Sequence, residues 1–219
     1  MSCTLKILNH IDATPVGQPF CTRECLKYGS RTAVDKTLAR LVQKNVIIRL
    51  AYGVFMRIDA DTKLPSIMEI AKLKSAAFGK ELVEYGGSLA CKLGLTNETP
   101  EHPTFNINGS STSFLYLRVG TRIVLKSASK KRMQLKETTH GKIVRALWNI
   151  GKASCSEKLV DRVLGQCAVP EIKEMLALSK AWMPAWLANF FPTPHVFTVA
   201  DSFNRDILYE SNFAPASST

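Results

Sequence analysis

Acidic side chains are scarce in this 219-residue chain: 18 Asp and Glu stand against 29 Lys and Arg, a formal charge of +11. That deficit points first to a polyanionic partner, although a basic balance also occurs in proteins that touch no nucleic acid. Long apolar runs are missing. None approaches the ~20 residues that a membrane-spanning helix needs, and residues 1–10 lack the basic start and unbroken apolar block of a secretory signal. The cysteines (Cys3, Cys21, Cys25, Cys91, Cys155 and Cys167) include one close pair, Cys21 and Cys25, and no second pair or nearby histidine to complete a zinc set. They read as reduced, mostly buried thiols of a cytoplasmic protein.

Catalytic signatures are equally thin. His10, His102, His140 and His195 are isolated, each reading as structural or solvent-facing. Gly151-Lys152-Ala153-Ser154 fails the phosphate-loop pattern, in which the hydroxyl residue follows the Lys directly and another Gly lies five positions before it. There is no G-x-S-x-G elbow, H-E-x-x-H pair or dinucleotide glycine fingerprint. Asp59-Ala60-Asp61 falls in a linker, too far from Gly29-Ser30 to build a nucleotidyltransferase metal site. No enzyme activity, metal or cofactor is expected. Repeats and low-complexity tracts are absent too.

What is present is concentrated near the amino end. Apolar residues make up 46% of the chain, enough for one or two domains with a real core. Residues 1–58 hold nine bases (Lys6, Arg23, Lys27, Arg31, Lys36, Arg40, Lys44, Arg49, Arg57) against three acids (Asp12, Glu24, Asp35). Leu5, Ile7, Leu8 and Ile11 suggest a first helix closed at Pro15-Val16-Gly17, and a short helix over 22–27 follows with Thr22 as its cap. Tyr28-Gly29-Ser30 turns into a longer helix over 30–44: Ser30 suits the N-cap, and Val34, Leu38, Leu41 and Val42 repeat on one buried stripe. Thr32, Lys36, Ala39, Arg40 and Gln43 then face the other way. Asn45 ends this helix, and β-rich runs at 46–50 and 52–58 turn near Ala51-Tyr52-Gly53.

Two helices, a basic outward face and a small hairpin make the order of a winged helix-turn-helix; a surface helix packed on a hairpin, its charges serving solubility, is the competing reading. In the first reading Ser30, Arg31, Thr32 and Lys36 enter a major groove, with Arg40 and Gln43 further along. Lys27 or Tyr28 grips phosphate, and Arg49 or Arg57 adds backbone contacts from the wing.

Residues 59–65 read as a linker. Beyond it a helix from Ser66, a short extended piece at Leu82-Val83, a helix from Gly87-Ser88 to Leu93, and strands over 104–108, 113–119 and 121–126 form a mixed region. Residues 118–136 contain no acid but hold Arg118, Arg122, Lys126, Lys130, Lys131, Arg132 and Lys136. This run either extends a DNA footprint, touches RNA or an acidic protein, or is a solvated loop around 127–131. The last third is helical over 141–150 and 170–191. Its Trp182, Trp186, Phe190 and Phe191 read as core or as interface anchors, and residues 213–219 as a frayed end.

The run GSRTAVDKTLARLVQKNVIIRLAYGVF, residues 29–55, resembles the N-terminal winged helix of AbiEi-type antitoxins, which often read Gly-Ser-Arg-x-Ala-Val, Leu-x-Arg-Leu-Val, then Ile-x-Arg-Leu-x-x-Gly and an aromatic. The later run GGSLACKLGLTNETPEHPTFNINGSSTSFLYLRVGTRIVLK is similar to their second region, a Leu-Gly-Leu-Thr followed by a strand, a turn and two more strands. The match covers roughly residues 20–150; Val54-Phe55 stands where these antitoxins often have Leu-Tyr. The resemblance implies an α+β chain: a winged helix-turn-helix DNA-binding domain over 1–60, then a mixed α/β antitoxin-type domain with a helical C-terminal part over 61–219. It also implies the antitoxin of a type IV toxin–antitoxin, or abortive-infection, system. Such a protein binds repeats in its own promoter, represses its operon, and counters a nucleotidyltransferase toxin with or without a stable complex. Two alternatives are a stand-alone winged-helix transcriptional regulator and an RNA- or protein-binding module built on the 118–136 run.

Overall fold

The first elements follow from short-range signals. Helix α1 (Cys3–Ala13) starts where the Ser2 hydroxyl accepts from the Leu5 N–H, and Ile7 and Ile11, one turn apart, are both buried. They meet Val34, Leu38 and Leu41 from α3 (Arg31–Gln43), and these residues share one core cluster with Phe20, Ile47 and Phe55. Between the two lie β1 (Pro19–Cys21) and the short α2 (Thr22–Cys25). Thr22 is the first residue of α2 and not its cap. The backbone N–H of Cys21 donates to Glu24 Oε1 at 2.7 Å, which frees Thr22 to bury itself and donate its own N–H to the Gly53 carbonyl at 2.9 Å. The computed structural model describes residues 2–166 and 171–191; Cys167, Pro170, His195 and the 213–219 end fall outside them.

The two strands after α3 are shorter than their β-rich runs: β2 is Ile48–Ala51 and β3 is Val54–Met56. Asn45 takes a left-handed backbone (φ 55°), so that the Val46 N–H reaches the Leu41 carbonyl at 3.0 Å and closes the helix. Tyr52 and Gly53 form the turn, with φ +75° at Gly53. Strand β1 completes a three-stranded antiparallel sheet in the order β1-β3-β2, pairing Phe20 with Phe55. Being an edge strand, it tolerates Pro19, which has no N–H to offer a second neighbour.

Helix α4 (Ile67–Ala76) opens on a reciprocal cap: the Glu69 N–H donates to Ser66 Oγ at 3.2 Å, and the Ser66 N–H to Glu69 Oε2 at 2.7 Å. Then come β4 (Leu82–Glu84), α5 (Gly86–Lys92), β5 (Thr104–Ile107), β6 (Thr112–Tyr116) and β7 (Thr121–Ser127). Their sheet has the order β4-β5-β7-β6, with β5 and β7 parallel. Asn108-Gly109 therefore does not close a hairpin; β7 inserts between β5 and β6. The two sheets adjoin, since the Leu117 N–H just past β6 donates to the Leu50 carbonyl at 2.8 Å. One core joins Leu50, Val54 and Met56 of the first sheet to Ile70 of α4 and to Ile107, Tyr116 and Ile123 of the second. It crosses residue 60, and the segment 59–65 is tied down by the Tyr116 hydroxyl, which donates to the Pro65 carbonyl at 2.8 Å.

The remaining helices are α6 (Lys130–Gln134), α7 (Thr139–Ile150), α8 (Glu157–Gly165), α9 (Ile172–Leu178) and α10 (Ala185–Ala188). The described residues thus form a mixed α+β structure, and none of their helices is long and apolar enough to cross a membrane. A separate core gathers Leu135, Ile143, Leu147, Val163, Leu176, Leu187 and Phe191, with Trp148, Trp186 and Phe190 partly buried against it. Trp182 remains 41% exposed.

A charged cluster joins these helices to β4. Glu84, 9% exposed, is held by Lys92 and by Lys142, whose Nζ lies 2.9 Å from Oε1. Burial pushes the Glu84 carboxyl up, but hydrogen bonds from Lys92 and Lys142 outweigh it, leaving the pKa below the ordinary 4.5. The bond to Glu84 raises Lys142 above its ordinary 10.5. A depressed carboxyl contributes stability above its unfolded pKa and loses it as pH falls through the folded one; a raised amine loses its contribution as pH climbs through the folded value. Urea unfolding should therefore show stability falling below the ordinary carboxyl value of 4.5 and again above the ordinary lysine value of 10.5. Glu84→Gln should flatten the acid limb; an acid limb of unchanged slope in that variant would contradict the assignment.

Candidate nucleic-acid interface

Helix α3 is built to show one face. Ser30 caps it, its hydroxyl accepting from the Ala33 N–H. Val34, Leu38 and Leu41 bury one stripe, and Thr37 sits beside them with its hydroxyl donating to the Ala33 carbonyl at 2.9 Å. The opposite side carries Arg31, Thr32, Asp35, Lys36, Arg40 and Gln43, all exposed. Among the described residues no later segment covers Lys36 or Arg40.

The hairpin stands beside this face. Arg31, Asp35, Lys36 and Ala39 from α3, with Arg49 and Tyr52 from the hairpin, line a groove of about 320 Å³. Tyr52 projects from the turn at 77% exposure. The Arg49 guanidinium lies 5.7 Å from the Tyr52 ring centroid and 5.3 Å from that of Phe55, and its Nε has no hydrogen-bond partner among the described residues. Stacking on two rings fixes the guanidinium without neutralising it.

The three acids of residues 1–58 are all engaged locally. Asp12 binds Arg57 at 3.2 Å, Asp35 binds Arg31 at 2.7 Å, and Glu24 caps α2. Among the described residues Lys27, Lys36, Arg40 and Arg49 have no carboxylate within ion-pair distance, so the surface around α3 keeps its positive charge. The Arg31–Asp35 pair is an i,i+4 contact with both side chains about half exposed. Such pairs are worth only about 0–1 kcal/mol, so a phosphate or base edge can compete for Arg31.

The structure brings most of the expected residues together and sets some apart. Ser30, Arg31, Thr32, Lys36, Arg40 and Gln43 share the outward side of α3, with Arg49 across the groove. Lys27 lies ahead of the helix, its Nζ 5.1 Å from the Tyr28 ring centroid, and Tyr28 in turn lies against His10. Arg57 is elsewhere: its two terminal nitrogens bind Asp12 and the Thr14 carbonyl at the end of α1, at the opposite end of the hairpin from Tyr52. Asp35 belongs to the face although only its bases stand out in the sequence; its spacing from Arg31 is the signal that could have placed it there.

The 118–136 run spreads over the β6–β7 hairpin and α6. Arg118 and Arg122 are exposed on the β6–β7 hairpin, and Arg122 donates to Ser113 Oγ at 3.1 Å. Lys126 lies over the Tyr85 ring at 4.8 Å, and Arg132 over the Trp148 ring at 4.6 Å. The solvated-loop reading of 127–131 gives way at its end to a helix, because Ser129 caps α6 and Met133 is buried beneath it; Lys130 and Lys131 remain exposed in its first turn.

The described cysteines are free thiols, and those of Cys21 and Cys25 are pushed up to about 11, chiefly by burial, which leaves them protonated at neutral pH. Among the described residues no three His, Cys, Asp or Glu side chains converge as a metal set. No curated protein matches the chain. The model of one family, DUF6088, a family of unknown function, matches residues 6–170. That span takes in α3, its groove and both sheets, and the chain belongs to this family.

Proposed function

We propose that residues 1–60 act as a winged helix-turn-helix: α2 and α3 are the helix pair, α3 reads a major groove, and the β2–β3 hairpin is the wing. The observation that carries this reading is the face of α3 that no described residue covers, with Lys36 and Arg40 unpaired among the described residues and Arg49 and Tyr52 standing beside it. A helix that served only solubility would need neither the guanidinium stacked on the hairpin nor the groove between them. The chain then binds DNA upstream of its own operon and represses it. The resemblance to AbiEi-type antitoxins extends the proposal to a type IV antitoxin that counters a nucleotidyltransferase toxin.

Fluorescence anisotropy on the intergenic DNA upstream of the gene tests the DNA step. Lys36→Ala and Arg40→Ala should each weaken binding by ~1–3 kcal/mol if they read bases, or shift it uniformly with a salt slope smaller by ~1 if they hold phosphate. Unchanged affinity in both variants rules out α3 as the reading helix. Co-expression with a neighbouring nucleotidyltransferase tests the antitoxin step, for which restored growth is expected. DNA binding without rescue would leave a stand-alone regulator.

A further inference from the structure

A second cavity, of about 350 Å³, opens beside the α3 groove and shares Arg31 and Tyr52 with it. Leu26, Val54, Ala77 and Phe78 give it apolar walls, and Phe78 is 63% exposed at its mouth. The protonated Cys21 thiol adds to that apolar lining. Arg23 and Lys74 supply two positive charges, with Arg31, paired to Asp35, at the shared edge, and among the described residues no acid lines the cavity.

Lys74 is the unusual member. The residue is partly buried, and its Nζ donates to the Tyr52 carbonyl at 2.8 Å and lies 4.5 Å from the Phe114 ring centroid. Among the described residues no carboxylate pairs with it or with Arg23, whose guanidinium sits 5.6 Å from the Phe78 ring centroid. Burial lowers the Lys74 pKa. An ammonium drawn partly out of water and holding one carbonyl and one ring face has donors to spare, and an anion in the cavity would take them. Apolar walls with a few converging charges are the ordinary make-up of a small-molecule site, and the volume lies within the usual range.

We infer that this cavity binds a small amphipathic carboxylate, an aryl-alkanoic acid, with its carboxylate between Lys74 and Arg23 and its apolar body against Leu26 and Phe78. Arg31 belongs to both cavities, so the bound anion draws it from the DNA side and weakens DNA binding. The ligand site does not depend on the DNA reading; only this coupling rests on it.

Isothermal titration calorimetry of the full chain with 3-phenylpropionate, 4-phenylbutyrate and indole-3-butyrate tests the site, with 4-phenylbutanol as the uncharged comparison. At least one acid should bind saturably at one per chain, about tenfold or more tighter than the alcohol, and Lys74→Gln should weaken it about tenfold. Lys152→Ala, remote from the cavity, should leave it unchanged. If Lys74→Gln fails to fold, the exposed Arg23→Gln serves in its place with the same expectation. Equal binding of acid and alcohol, unchanged affinity in the Lys74 or Arg23 variant, or no saturation by any acid up to ~10 mM overturns the site. In anisotropy, a saturating acid should weaken DNA binding severalfold in the natural protein and not in Lys74→Gln; an unchanged DNA affinity overturns the coupling. If the protein binds no DNA at all, the DNA reading fails while the calorimetry still decides the site.

Discussion

Arg145→Ala is expected to lower the unfolding free energy by about 3–5 kcal/mol, the cost of breaking a buried ion pair from one side. Arg145 is 2% exposed and sits on α7 among groups from two other segments. Its Nε donates to the Glu84 carbonyl at 3.1 Å, its Nη2 to Glu137 Oε1 at 2.9 Å, and its Nη1 to the Lys136 carbonyl. Glu137 Oε1 also accepts the Glu84 N–H at 2.6 Å, so the one carboxylate ties β4, the turn before α7, and α7 together. Truncation removes the charge that neutralises this carboxylate from inside, leaving Lys142 at 3.6 Å on the solvent side. Two carbonyls lose their donor at the same time. Burial works against the charged guanidinium, lowering its pKa, while Glu137 and Glu84 pull the other way. Arg145→Lys should recover only part of the loss, because an ammonium cannot reach three acceptors in the guanidinium's planar spread. Urea unfolding followed by circular dichroism checks this. A loss below about 1 kcal/mol would mean that water or Lys142 replaces the guanidinium.

Gly86→Ala should destabilise by about 1–3 kcal/mol although alanine is the better helix former. Removing glycine from a helix ordinarily gains about 0.5–1 kcal/mol. At Gly86, however, an added Cβ would lie 2.4 Å from the Arg145 carbonyl oxygen and 3.0 Å from Asn149 Cβ. The obstructing atom is backbone in the facing helix, so relief requires α5 and α7 to separate, which pulls on Leu89 and Ala146 in the small core they share. Gly165→Ala is the matched comparison. Nothing lies within 4 Å of its added Cβ, and the same change there should be neutral or stabilising by up to about 1 kcal/mol. Both variants are measured in the same urea titrations. Equal effects at the two positions would show that the α5–α7 crossing is not held by the glycine.

The amino-terminal third was the most legible part of the chain. The Ser30 cap, the buried Val34, Leu38 and Leu41, the exposed Lys36 and Arg40, and the end at Asn45 all stand where the spacing predicts. The three later strands and α7 were visible for the same kind of reason, as β-rich runs or helical periods bounded by turn residues. Strand β1 was not, since three residues opening on proline carry no period, and its partner β3 lies more than thirty positions away. Arg57 illustrates the same limit at the candidate interface. Its charge suited a wing, but Asp12 and Thr14, 45 and 43 residues earlier, hold it.

By itself the sequence determined the helix periods, the caps and the concentration of positive charge around α3, because each depends on side chains within a turn or two of one another. Only the tertiary structure decided that β7 lies between β5 and β6, that Arg145 is interred against a carbonyl 61 residues away, and that Lys74 joins Arg23 and Arg31 around one cavity. Those outcomes depend on which distant segments share a core. Many pairings satisfy the local pattern, and the choice among them comes from burying apolar surface while leaving most interior polar groups a partner.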